Sequence, residues 1–185
     1  MILQSINKIL KGGQVCILRS AEGADAEAFV RYSLQVRTET DYLLAGVDEA
    51  EHDPVKMVQR LETAKNSPTD IQICAFVDGV LVGSAGVTLI RNRRKMLHRA
   101  EFGISILRAY NGLGIGNALT ERCITCAKQA GFLQLELEVV AENEKAIRLY
   151  QKHGFVEYGR NPLGFRCDDG HWQELVLMRL ELGDR

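Results

Sequence analysis

The stretch RAYNGLGIGNAL, Arg108 to Leu119, sets glycines at positions 112, 114 and 116 and then runs into a sequence of helical character. Bare backbone N–H groups at a helix N-terminus attract anions, and glycine lets the chain come close to a ligand. The stretch therefore reads as a phosphate cradle. Taken alone it leaves three readings open: a dinucleotide site, a phosphate-ester site, and glycines that merely turn a strand into a helix. A dinucleotide fingerprint would use Gly112, Gly114 and the acid Glu136, 24 positions beyond Gly112, where about 20 is usual. That match fails at Asn117, where the third glycine is due. Fewer than 75 residues follow the loop, too few for two βαβαβ halves.

Outward from the loop, the chain resolves into alternating elements. Upstream, HRAEFGISIL alternates Phe102, Ile104 and Ile106 as a strand, and IQICAFVDGVLVGSAGVTLIRN holds two β-rich runs joined at Asp78-Gly79, a hairpin dipeptide. Before these, QVCILRS is a first strand. GADAEAFVRYSLQVRTET places Ala28, Leu34 and Val36 at helical spacing behind a capping Asp25, and DPVKMVQRLETAKN opens with Pro54 behind an Asp53 cap. Downstream, Ile115 to Ala130 is a helix and LQLELEVV a strand. NEKAIRLYQKH is a helix between an Asn143 cap and Gly154, and FVEYGR and HWQELVLMRLEL are closing strands. The predicted order is β-α-α-β-β-β-α-β-α-β-β, an α/β fold with one mixed sheet. One domain spans 1–185, with 1–12 set apart as a loosely attached N-terminal extension.

Composition narrows the functional classes. A chain of 185 residues, 46% hydrophobic and 25% charged, is one ordinary globular domain. Its net charge of −1 gives no general attraction to nucleic acid or anionic membrane. No signal peptide or membrane span is read, so the expected location is cytoplasmic, with no nucleic-acid and no membrane partner. The five cysteines, Cys16, Cys74, Cys123, Cys126 and Cys167, lie in apolar surroundings and read as reduced thiols. Cys123 and Cys126 form a CxxC on the same helix face as Ile115 and Leu119, with no second ligand pair, so no metal is expected.

Taken with NEKAIRLYQKHGF, Asn143 to Phe155, the loop resembles the Gcn5-related N-acetyltransferase (GNAT) superfamily. There a (Gln/Arg)-x-x-Gly-x-(Gly/Ala) loop is followed, a helix and a strand later, by Asn-x-x-Ala-x-x-x-Tyr-x-x-x-Gly-Phe. Gly114 and Gly116 fill the loop; Asn143, Ala146, Tyr150, Gly154 and Phe155 fill the second motif without a gap. The resemblance is specific from about Arg99 to Arg160 and looser over the rest. One position departs: Asn111 stands where the family has Gln or Arg, which removes a side-chain donor or charge but leaves the amides of Leu113 to Asn117. The resemblance implies a single acyl-CoA N-acyltransferase domain that uses acetyl-CoA as co-substrate. Its pyrophosphate would lie on Asn111, Gly112, Leu113, Gly114, Ile115, Gly116 and Asn117, near Asn143 and Tyr150, and its pantetheine along Ile104, Ser105 and Ile106.

The chemistry such a reaction needs can be rebuilt from residues. An amine of pKa near 10.4 must lose a proton before it attacks, so a carboxylate or a water must take it. Glu101 and Glu138 are the candidates, on adjacent strands, and the resemblance implies a base at one of these two places. Each also reads as an exposed, strand-alternating carboxylate, with Glu136 sharing the face of Glu138. Glu39 and Asp41, from the N-terminal helical region, are further candidates. A departing coenzyme A thiolate, with a pKa near 8.5, leaves better if a neighbour protonates it. Tyr150 is placed for this, seven residues after Asn143, close to two helical turns, and otherwise reads as a packing tyrosine beside Ile147 and Leu149. A strand N–H near Ile106 would meet the oxyanion.

The resulting expectation is an N-acetyltransferase that moves acetyl directly to a primary amine of a small amine, amino sugar, polyamine or protein. The alternative is a catalytically weak CoA-binding sensor or scaffold with the same fold. RNRRKMLHR, Arg91 to Arg99, reads as a solvated hairpin loop rather than a partner patch. The resemblance implies that the acceptor is chosen largely by the first helices and the late hairpin, here QVRTETDYLLAGVDEAEHD and RNPLGFRCDDGHWQEL, the first of them acidic. The last strand is either a free edge or the seam of a homodimer.

Overall fold

Asp78 and Gly79 both take left-handed backbone angles, φ 50° and 78°, as a two-residue hairpin turn of the favoured hand requires. They join β3 (Ile71–Val77) to β4 (Val80–Leu89). The structure, a computed structural model, describes residues 3–183. Around that hairpin lie β1 (Ile6–Ile9), β2 (Val15–Ser20), α1 (Ala26–Thr38), α2 (Pro54–Asn66) and β5 (Arg99–Ile106). Then follow α3 (Ile115–Gln129), β6 (Gln134–Val140), α4 (Glu144–Lys152), β7 (Val156–Arg166) and β8 (Trp172–Glu181). The eight strands form one sheet in the order β1-β2-β3-β4-β5-β6-β8-β7. Every neighbouring pair is antiparallel except β5 and β6.

The mixed α/β sheet agrees with the sequence reading, with three differences. Ile6–Ile9, within the segment set apart as an N-terminal extension, pairs with β2 from Ile6–Leu18 to Ile9–Val15. The last strand, expected at an edge, lies between β6 and β7, and β7 is the edge instead. Asp25 does not cap α1: its carboxylate is gripped at both oxygens by the Arg19 guanidinium, at 2.7 and 2.6 Å, and also accepts from the Glu22 amide. Asp53 does cap α2, accepting from the Val55 N–H at 2.8 Å.

Strand alternation gives the sheet two apolar faces. Ile71, Ile73, Ala75 and Val77 of β3 join Ala100, Phe102, Leu119, Cys123, Leu137 and Phe155 in a core under α3 and α4. Cys74 and Phe76 point the other way, to Val30, Val36, Met57 and Leu61 of α1 and α2. The inward side of α1 carries Val30, Tyr32, Ser33 and Val36, while Ala28 and Leu34 are only half-buried. No helix among the described residues is long and apolar enough to cross a membrane.

Candidate active site

The ladder between β5 and β6 is short. Arg99, Ala100 and Glu101 pair with Gln134, Leu135 and Glu136, and there the parallel pairing stops, although β5 runs on to Ile106 and β6 to Val140. The Leu107 N–H donates to Val82 across the β4 side at 2.9 Å. Backbone groups alternate along a strand, so Gly103 and Ser105 face β4, while the amides of Ile104 and Ile106, beyond the last paired residues, face the gap where β6 has parted. A sheet edge with open donors and acceptors inside a domain is a place for an extended, amide-bearing ligand.

Tyr150 sits beside that gap. Its ring meets Phe102 edge-on with centroids 6.1 Å apart, and Phe155 at 5.8 Å. Burial pushes its phenol well above the usual tyrosine range, so at neutral pH it carries its proton. Its hydroxyl makes no hydrogen bond among the described residues. Asn143, one helix end away, accepts from the Ala146 N–H at 3.3 Å and so caps α4. Asn143 and Tyr150 thus put a helix cap and a buried phenol on one short element.

At the far end of β5 the chain makes a 3-10 turn, Arg108–Tyr110, and enters the glycine loop. Gly112 and Gly114 hold φ of 80° and 98°, and a Cβ at either would meet nothing within 4 Å, so their surroundings are open. Left-handed angles of this kind are what glycine supplies. Gly114 directly precedes α3, whose first amides, from Ile115 to Asn117, have no partner in the preceding turn. Gly116 has a different role: a Cβ there would meet Leu149 at 3.2 Å and Ile106 at 3.4 Å, so its bareness lets α3 seat against α4 and β5. Asn117 Oδ1 is buried with no partner. The loop is tethered on two sides. The Lys11 N–H donates to the Leu113 carbonyl at 3.3 Å. Glu39 accepts from the Arg108 amide at 2.6 Å, and the Arg108 guanidinium donates to the Glu39 carbonyl. Asn111 is exposed at the mouth of the loop. Open glycine angles, the free amides of a helix start and an unpaired strand edge suit a diphosphate joined to an amide-bearing chain.

The carboxylates divide by environment. Glu101, Glu136 and Glu138 share the sheet face toward α1 and α2. Glu136 is bound through both oxygens by Arg99, one bond at 2.6 Å, and is joined by Tyr158 at 3.5 Å. Arg99 holds that carboxyl below the usual carboxylate range. It is therefore a fixed structural anion at the last paired residue before the strands part. Arg99 thus leaves the run expected to be solvated; from Arg91 to His98 only Met96 is partly covered. That run precedes β5, roughly 24 Å of strand away from the glycine loop. Glu101 and Glu138 are both exposed. Glu101 opens onto a hollow of about 310 Å³ between α1 and β4–β5, whose lining includes Tyr32, Arg37, Gln72, Ser84 and Ser105. Glu39 is committed to Arg108. Cys123 and Cys126 are buried in the α3 core. Among the described residues no group of three or more His, Cys, Asp or Glu side chains could hold a metal ion.

Sequence reasoning missed the α1 contribution to this hollow. The Tyr32 hydroxyl bonds both the carbonyl and the Oγ of Ser105 at 2.7 Å, fixing α1 to β5. Burial raises the Tyr32 phenol as well. The only signal in the sequence was a tyrosine and an arginine on the inward side of an otherwise apolar helix face, which no motif marks.

The acetyltransferase (GNAT) family model matches residues 35–155. The L-amino acid N-acetyltransferase AaaT of Escherichia coli strain K12 is 29% identical over 140 residues, 75% of this chain and 82% of its own length. An acetyltransferase of the GNAT family from Streptococcus pneumoniae superposes with a TM-score of 0.86 at 30% identity, covering 91% of this chain and 99% of that one. A GNAT superfamily phosphinothricin acetyltransferase from Sinorhizobium meliloti, solved in complex with acetyl-CoA, shares the fold at a TM-score of 0.76 and 23% identity, over 91% and 89% of the two chains.

Proposed function

The chain belongs to the acetyltransferase (GNAT) family, and from that premise we propose that it transfers the acetyl group of acetyl-CoA directly to a primary amine. The observation that carries the proposal is the parting of β5 and β6 between Tyr150 on one side and Glu101 on the other, with the glycine cradle at the end of β5. The Sinorhizobium enzyme with bound acetyl-CoA supports the choice of co-substrate. The E. coli relative, named for L-amino acids, supports a small-molecule amine as acceptor.

In this reading the amides from Leu113 to Asn117 hold the pyrophosphate, and the open edge from Ile104 to Ile106 extends along the pantetheine. Asn111 is a weaker phosphate contact than the family's Gln or Arg would be. Acetyl-CoA supplies an activated thioester, and the chain's own groups handle the protons. Glu101, or Glu138 through water, takes a proton from the acceptor ammonium, and the freed amine nitrogen bonds to the acetyl carbon. The Ile106 N–H steadies the negative charge that collects on the carbonyl oxygen, a contribution of about 3 kcal/mol for a well-placed donor. As the carbon–sulfur bond breaks, Tyr150 gives its proton to the sulfur, the second proton shed by the nitrogen as the amide forms returns to the tyrosinate, and the apolar surroundings of Tyr150 favour the neutral phenol before and after. No covalent acyl-enzyme is required.

Thiol release from acetyl-CoA, followed across a panel of small amines and peptides alongside calorimetric titration of acetyl-CoA, tests this directly. Amine-dependent thiol release is expected. Saturable binding with no amine-dependent release would instead assign a CoA-binding sensor, and absence of binding would overturn both.

A further inference from the structure

The hollow beneath α1 carries a charge arrangement that acetyl transfer alone does not call for. Arg37, half-buried near the end of α1, spends one nitrogen on Ser33, donating to its carbonyl at 2.8 Å and to its Oγ. Its Nε is buried with no partner. Neither Arg37 nor Arg60, which also lines the hollow, has a carboxylate within ion-pair distance among the described residues. The floor between them is polar and already satisfied: Gln72 donates to Ser84 Oγ at 2.6 Å and to the Ala85 carbonyl at 3.3 Å, and Tyr32 bonds Ser105. Phe29, Val36 and Leu43 form an apolar wall. A guanidinium that has lost part of its water and gained no anion costs stability unless a ligand completes it. Its planar fork matches a carboxylate two-pronged. Glu101 supplies the opposite charge on the β5 side of the same hollow, and about 310 Å³ lies at the small end of ligand sites, too tight for a folded protein surface.

Resting on the acetyltransferase reading, we propose that the acceptor is a small zwitterion, an amine bearing a carboxylate, and that Arg37 is the residue that reads the carboxylate. The ammonium is drawn to Glu101 while the carboxylate completes Arg37, with Arg60 adding positive field at the entrance. This placement turns the amine toward the gap beside Tyr150 and leaves the acceptor's side chain against Phe29 and Leu43.

The test pairs each standard L-amino acid with its α-carboxamide, which keeps the amine and side chain and removes the charge. Binding is measured by calorimetry in the presence of CoA, and turnover by thiol release. In the wild type the best amino acid exceeds its amide by roughly 10- to 100-fold in Kd and in kcat/KM, the range of a charge-assisted pair. In Arg37→Gln that preference collapses toward one, chiefly through KM, and Arg37→Lys restores part of it; the melting temperature of each variant reports folding separately. Equal binding of acid and amide by the wild type, no binding of any amino acid, or an unchanged preference in Arg37→Gln would each overturn the proposal. Amino acids that bind with the expected preference but release no thiol would leave the Arg37 assignment standing and overturn the acetyl-transfer reading.

Discussion

At Tyr150 two demands meet: the side chain must fill a core and still offer a proton. The ring meets the first by packing edge-on against Phe102 and tilted against Phe155, and burial meets the second by keeping the phenol neutral. Because the hydroxyl has no hydrogen-bond partner among the described residues, removing it leaves no stranded donor or acceptor behind. Tyr150→Phe should therefore lower kcat by about 100-fold or more while shifting the melting temperature by only about 2 °C. The KM for acetyl-CoA should stay within about threefold, since the proton is needed only as the thiolate leaves. Steady-state kinetics beside a thermal melt check this, and near-wild-type kcat in the variant would remove Tyr150 from the mechanism. The pH profile follows the same logic. A phenol pushed above its ordinary value of 10.0 holds its proton further into alkali, so any alkaline loss of kcat due to Tyr150 lies above that value. A limb that disappears in Tyr150→Phe and lies below it would contradict the buried placement.

At the scale of elements, the join between β5 and β6 rests on Arg99 and Glu136. Glu136 is nearly buried, while Arg99 keeps part of its surface in water. Glu136→Gln keeps the shape and loses the charge, leaving a half-buried guanidinium with a weaker partner. The expected cost at neutral pH is about 1–2 kcal/mol, discounted for the solvated side of Arg99. The sign of its pH dependence follows from the direction of the shift. Arg99 depresses the folded-state value of Glu136, so this stabilisation is fully present above the unfolded value near 4.3 and is lost as pH falls through the lower folded one. Urea midpoints of wild type and Glu136→Gln should differ at pH 7 and converge in acid; a gap constant across that window would mean the pair contributes through packing alone. This ion pair also marks the limit of what the sequence could convey. Asp53, Asn143, Gly154 and the Asp78-Gly79 turn were legible because cap and turn chemistry acts within a few residues. Asp25 looked like the same kind of cap, but Arg19, six residues earlier, claimed its carboxylate. Arg99 looked like one of a solvated basic run because Glu136 lies 37 positions away. Arg37 carried no motif, only its place on the inward side of α1, since it matters where α1 crosses β4 and β5.

At the scale of the molecule, the two apolar cores share their strands. β3 sends Ile73 and Ala75 to the α3–α4 side and Cys74 and Phe76 to the α1–α2 side, so unpairing the sheet removes the support of both cores at once. The glycine cradle, Tyr150 and the Arg37 hollow lie on opposite faces of that shared sheet, and their alignment depends on its staying whole. We propose on this basis that the chain unfolds as one cooperative unit. Cys74 and Cys123, both fully buried, mark the two cores. Burial pushes the Cys74 thiol up to about 12 and raises Cys123 as well, and since the thiolate is the reactive form, neither is alkylated while its core is intact. Trp172, the single tryptophan, opens β8 beside the outer strand β7 and reports the end of the sheet farthest from β1. Brief thiol-alkylation pulses along a urea series, read by peptide mass spectrometry, should expose Cys74 and Cys123 at one midpoint, coincident with the change in Trp172 fluorescence. If Cys74 became reactive at lower urea, α1 and α2 would be a separately opening layer over the acceptor hollow. Arg37 would then be positioned by local folding rather than by the sheet, and substitutions in the α3 core would leave amino acid binding untouched.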